Sequence, residues 1–190
     1  MSAEDVRSRR CVFVSHCMLA QCVMAEGVVK QYAAVVKPVV EFCLNNDINI
    51  FQMPCPESQC ASGGLGRAPH GKVWYERNGL RKTSKDIAEG QIAYMQRLRS
   101  AGMQILAVIG VEFSPACAVT YLNKGRAIVR DEGIYVEELK TKMSAEGFEV
   151  PFIGINARWT KRMAKDLESL LKPPAEEPQM SLLDLPEHAR

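Results

Sequence analysis

Four short runs of β-favouring residues, separated by segments with helical periodicity, limit the folds open to this chain. They lie at residues 11–15 (CVFVS), 48–53 (INIFQM), 105–111 (ILAVIGV) and 151–155 (PFIGI). Three are almost continuously apolar, as strands covered on both faces are. Between them, residues 28–45 carry Val35, Val36, Val39, Val40, Phe42, Cys43 and Leu44, and Pro38 is expected to kink or break that helix. Residues 84–100 open on Ser84 as an N-cap, hold Ile87, Ile92, Met95 and Leu98, and stop at Gly102. Residues 137–145 and 159–171 read as two further helices. Strands alternating with helices predict an α/β fold, a Rossmann-like parallel sheet flanked by helices with right-handed crossovers. The 190 residues suffice for a single domain. It should span 11–172, after an N-terminal extension at 1–10 and before a Pro- and Glu-rich tail at 173–190 that is expected to be disordered. Leu182, Leu183 and Leu185 form the one candidate anchor in that tail.

Charge and thiol content narrow the function classes. With 24 Lys and Arg against 22 Asp and Glu, bulk charge gives no case for a dedicated nucleic-acid binder. Seven cysteines, an odd number in a chain too large to need disulfide staples, favour a reducing compartment. Arg7, Arg9 and Arg10 precede an apolar-looking stretch, but Ser15, His16, Gln21 and Glu26 break it into runs too short for a signal peptide. No stretch approaches the roughly 20 apolar residues of a membrane span. A cytoplasmic protein without membrane contact is expected.

Each of the first three strands is followed within a few residues by a cysteine. The first leads to His16-Cys17, the second to Pro54-Cys55-Pro56-Glu57, the third to Glu112-Phe113-Ser114-Pro115-Ala116-Cys117. In an open parallel sheet the carboxyl ends of the strands form the ligand-binding edge, so neighbouring strands would bring Cys17, Cys55 and Cys117 together. Cys11, in a strand, and Cys43, on a helix face, read as core. Converging soft thiolates select zinc, Cu(I) or iron–sulfur clusters. Cys17/Cys22 and Cys55/Cys60 are both C-x4-C pairs, so a four-cysteine zinc site competes, as does a non-catalytic metal-holding sensor or adaptor. A metal-free thiol enzyme using Cys55 or Cys117 as nucleophile beside Glu57 is a third reading.

The segments VSHCMLAQCVMAEG, QMPCPE and GVEFSPAC, in that order, resemble the 2-thiouracil desulfurase family, and more closely a branch of related desulfidases with a V-S-H-C opening and a Q-M-P-C-P-E segment. The resemblance runs from about Val12 to Lys172. It implies a 4Fe–4S cluster held by three cysteines with one iron left open to the substrate's sulfur. Carried over by motif, the ligands are Cys17, Cys55 and Cys117, the catalytic acid is Glu57 and the catalytic serine is Ser114. The implied reaction replaces C=S by C=O in a thiolated pyrimidine or nucleoside and releases sulfide, with no net redox change. The implied partners are that small molecule and the cluster-assembly machinery. Two positions depart from the family's S-P-S-C-G loop, which here reads Ser114-Pro115-Ala116-Cys117-Ala118. Cys60 also falls in an added S-Q-C-A-S-G-G segment, where a fourth ligand would close the cluster.

Other residues carry weaker expectations. His16, Glu26 and Arg67 are candidate substrate contacts, and Gly27 closes the first motif beside Glu26. His70 and His188 read as solvent-exposed, and Trp159 as a core or interface aromatic. Residues 63–67 (GGLGR) lack the G-x-x-x-x-G-K-[ST] pattern of a phosphate loop. Residues 58–83 read as a long Gly-rich, basic loop. Its cations with Trp74 and Tyr75 offer an RNA end or nucleotide charge and stacking, against the simpler reading of a solvated loop face.

Overall fold

The computed structural model describes residues 5–171, so the expected tail and its leucine anchor lie outside the described residues. Four parallel strands form one sheet: β1 (Arg10–Ser15), β2 (Asn49–Met53), β3 (Gln104–Val111) and, numbered last in the chain, β6 (Phe152–Ile155). Their order is β2-β1-β3-β6, which puts the first and third strands at the centre. All four lie where the apolar runs predict them.

Strand alternation divides the core in two. Cys11 and Phe13 of β1 and Val108 of β3 face α5 (Leu80–Ser100) and α6 (Ile134–Ala145), meeting Ile92, Met95, Ile134 and Leu139. Val12 and Val14 of β1, with Ala107 and Ile109 of β3, face α2 (Lys37–Asn45) and α7 (Thr160–Glu168), meeting Val39, Cys43, Met163 and Leu167. Covering both faces is why residues 11–14 are all 0% exposed and why the run shows no polar alternation. Each fully buried large side chain contributes about 1.5–3 kcal/mol.

Two helices start elsewhere than predicted. The helix expected over 28–45 is α2 alone, because Pro38 sits in its first turn, where a missing N–H costs nothing. Residues before it stay irregular, tied back by Gln21 N–H to Ala34 O at 2.8 Å and Val36 N–H to Met18 O at 2.8 Å. α5 begins at Leu80, after Gly79 at φ +89°, so Ser84 is not an N-cap but a fully buried helix residue with an unpartnered hydroxyl. The long loop is shorter than expected, since α3 (Pro56–Gln59) and α4 (Lys72–Arg77) interrupt it. A hairpin of β4 (Tyr121–Lys124) and β5 (Ala127–Arg130), joined through Gly125 and Arg126, was not expected. Among the described residues, no helix is long and apolar enough to cross a membrane.

Candidate functional site

β1 ends at Ser15 and runs directly into α1 (His16–Leu19), which carries Cys17 in its first turn. β2 ends at Met53, and Cys55 then stands just before Pro56 opens α3. β3 ends at Val111 and hands over to the loop holding Cys117. All three cysteines line one cavity of about 860 Å³, within the range of ligand sites. Cys55 and Cys117 are buried and Cys17 is half-buried. Burial first, then the charges of Cys55 and Glu57, pushes the Cys17 thiol up to about 12. Burial, then Cys17 and Cys55, holds Cys117 well above its ordinary 9.0. Three thiolates here repel one another until a cation neutralises them, so the donor set fits a thiolate-held metal group. Among the described residues no three His, Cys, Asp or Glu gather tightly enough to hold one metal ion. The C-x4-C partners are absent from the cavity wall: Cys22 is exposed, and Cys60 is buried with its sulfur 3.2 Å from Ser62 Oγ.

The loop after β3 is pinned at almost every backbone group. Ser114 Oγ accepts from the N–H of Ala116 at 3.2 Å and of Cys117 at 3.0 Å. The Cys117 carbonyl accepts from Val111 N–H at 3.0 Å. The first turn of α6, whose amides have no partner within the helix, donates to this loop instead: Ile134 to Pro115 O at 2.9 Å, Tyr135 to Ala116 O at 2.9 Å. So close an approach requires Gly133, where a Cβ would lie 2.3 Å from the carbonyl carbon of Ala116. Ala118 has no positive φ, so its backbone does not demand the family's glycine. The strained residue is Phe113, at φ +68°, a conformation costing about 1–3 kcal/mol for a bulky side chain. Its N–H bonds Tyr121 O at 2.9 Å and its ring meets Trp159 edge-on at 5.3 Å.

Glu57 and Ser114 meet in the same cavity. The Ser114 hydroxyl donates to Glu57 Oε1 at 2.9 Å, and Arg67 Nη2 donates to Glu57 Oε2 at 2.9 Å. Arg67 is itself buried, and also donates to Val23 O at 2.7 Å, Gly64 O at 3.0 Å and Tyr75 Oη at 3.0 Å. Burial alone lowers the Arg67 guanidinium, and the bonds to Glu57 and Tyr75 more than reverse that. The same Gly-rich loop closes over α3: Gly64 N–H bonds Glu57 O at 3.1 Å, and a Cβ at Gly63 would lie 1.9 Å from that oxygen. Gly63 serves close backbone packing and Gly64 a left-handed turn at φ +95°, in agreement with the missing phosphate-loop pattern.

His16 lines the cavity, and its carbonyl accepts from Gln52 Nε2 at 3.2 Å. Glu26 is exposed and outside the wall, while Gly27 belongs to it, because the Glu26 backbone N–H is turned to Arg67 O at 2.9 Å. Exposed His70 stacks on Trp74, ring centroids 3.7 Å apart. The basic loop is less free than its composition suggests. Lys72 pairs with Asp131 at 2.9 Å and with Glu137 at 2.6 Å, and Arg81 with Glu76, Glu137 and Glu138. Those pairs weaken the RNA or nucleotide reading of this face. Glu112 has no role in the sequence reading, yet it is buried in the cavity wall and accepts from Thr120 N–H at 3.1 Å and Tyr121 N–H at 2.9 Å. A lone acid inside an otherwise apolar run was its only signal.

No family model matches the chain. It is 28% identical over 167 residues to the uncharacterized protein MJ0003 of Methanocaldococcus jannaschii, an alignment covering 88% of this chain and all of that one. Among solved structures, a [4Fe-4S]-dependent thiouracil desulfidase, TudS, overlaps 84% of this chain and 99% of its own at 18% identity and a TM-score of 0.48.

Proposed function

We propose that Cys17, Cys55 and Cys117 hold a 4Fe–4S cluster and that the protein hydrolyses the C=S bond of a small thiolated pyrimidine or nucleoside. The observation that carries this reading is the joint one. Three thiols from three adjacent strands share a cavity with a buried Glu57–Ser114 pair, and Ser114 also holds the Cys117 loop. When bound, the cluster would supply an open iron, a soft Lewis acid for the substrate's sulfur. The chain's own groups do the proton work. Glu57 takes a proton from the attacking water as a C–O bond forms at the thiocarbonyl carbon. The tetrahedral carbon then gives up its hydroxyl proton as the C–S bond breaks, so that C=O forms and both protons of the water leave with the sulfide. One water is consumed, one sulfide is released and no electron is transferred. Arg67 fixes Oε2 of Glu57 and the Ser114 hydroxyl fixes Oε1, so the carboxylate is held in one orientation and a second lone pair of Oε1 is the one to meet water.

Anaerobic loading with iron and sulfide, followed by metal counts and turnover of 2-thiouracil and 2-thiouridine, tests it. A brown protein is expected, losing its iron in each of Cys17→Ser, Cys55→Ser and Cys117→Ser and keeping it in Cys60→Ser. Glu57→Gln should keep the colour and lose about 10²–10⁴-fold in rate. A colourless protein with one zinc, or wild-type turnover by Glu57→Gln, would refute the reading.

A further inference from the structure

Three strands of the sheet each deliver a cysteine to its carboxyl edge, and the fourth delivers an indole. β6 ends at Ile155, and Trp159 follows as the residue that caps α7. It lines the same cavity as Cys17, Cys55 and Cys117. The turn that leads to it is fixed on both sides. Asn156 Oδ1 accepts from Arg158 N–H at 2.9 Å, Asn156 O from Trp159 N–H at 2.9 Å, and Trp159 O from Met163 N–H at 2.8 Å. The indole is braced as well: Phe113 and Tyr121 meet it edge-on at 5.3 and 6.0 Å, and the Arg162 guanidinium lies 5.3 Å from its ring centroid. Phe113 is the strained residue of the site and stands next to Ser114, whose hydroxyl meets Glu57. Strain of this kind collects at functional sites, where the surroundings hold it in place. Here it turns a ring to Trp159 one residue away from the Glu57–Ser114 pair. Trp159 is only half-buried, so part of the indole is open to the cavity. An aromatic surface there suits a flat heterocycle, since every base has a π-face to set against it.

We propose that Trp159 is the contact that selects the substrate's ring: the pyrimidine packs against the indole while its sulfur faces the three cysteines, and Phe113 positions the indole. This rests on the proposed function, and the test separates the two.

The chain has two tryptophans, and Trp74 is absent from the cavity wall. In metal-free Trp74→Phe protein the emission is therefore that of Trp159, and uridine should quench it along a saturating curve. Uridine carries no sulfur, so it reports the ring contact without any bond to iron. Anaerobically loaded Trp159→Leu is then compared with wild type at equal iron content. The KM for 2-thiouridine and the inhibition constant of uridine should both rise roughly 10–100-fold, the loss of one base stack, with kcat little changed. Trp159→Phe, which keeps an aromatic face, should fall between the two. Wild-type constants in Trp159→Leu, or emission that uridine leaves unmoved, would overturn the role of Trp159 alone. So would a loss confined to kcat, which a merely structural disturbance of Glu57 and Ser114 would give. A wild type that takes up no iron, or turns over no thiolated pyrimidine, would overturn the proposed function and this inference with it.

Discussion

Arg67 shows how a residue's type can be legible while its role is not. Its charge and its place near the second motif mark it as a substrate contact. In the structure four of the five N–H donors of its guanidinium go to Glu57, Tyr75, Val23 and Gly64. A sequence supplies the cation but not the loop closure that folds it back onto a carboxylate ten residues earlier. The consequence is testable with Arg67→Lys, which keeps the charge and loses the fork. One ammonium reaches only some of those acceptors, and each buried group left unpaired costs about 1–3 kcal/mol. A clear drop in melting temperature is expected, with turnover falling as Glu57 loses its anchor. An unchanged melt would mean that the fork contributes little. The place of Glu57 and Ser114 in the cavity wall, by contrast, was legible, because each stands two or three residues from a cysteine that follows a strand.

At the scale of elements, strands were legible and the starts of helices were not. A run such as 11–14 can be apolar throughout only if both faces are covered, so its burial was encoded locally. The start of α5 depends on Gly79 adopting a positive φ, and that of α2 on Pro38 falling in the first turn rather than mid-helix. Both choices are made by tertiary packing. The β4–β5 hairpin escaped notice because its strands are four residues each and mostly exposed. The junction of α6 with the Cys117 loop was equally invisible, and it is where a single methyl group should matter. Gly133→Ala sets a Cβ 2.3 Å from backbone atoms of Ala116, which cannot swing aside as a side chain can. We expect a loss of about 1–3 kcal/mol, as for overpacking, and a lower iron content per chain at equal loading. Wild-type melting and full iron content would show that the junction yields.

On the two sides of the sheet, Cys11 of β1 is buried against α5 and α6, and Cys43 of α2 is buried in the opposite core beside α7. Burial raises both from 9.0 to about 11. The folded state therefore binds these protons more tightly than the unfolded chain does. The resulting stability is fully present below pH 9.0 and is lost as pH climbs towards about 11. Melts across that range should fall less steeply in a Cys11→Ala/Cys43→Ala double variant than in wild type, whatever its starting stability. Equal slopes would assign the alkaline loss to other groups. The strand order has a consequence for biosynthesis. Cys17 and Cys55 leave the ribosome just behind β1 and β2, which pair with each other, while Cys117 and the turn of α6 that grips its loop come much later. A nascent chain stalled short of α6 presents two thiols without the third. On the proposed function, a cluster held by all three thiols would therefore be loaded after translation, into a chain that has already folded.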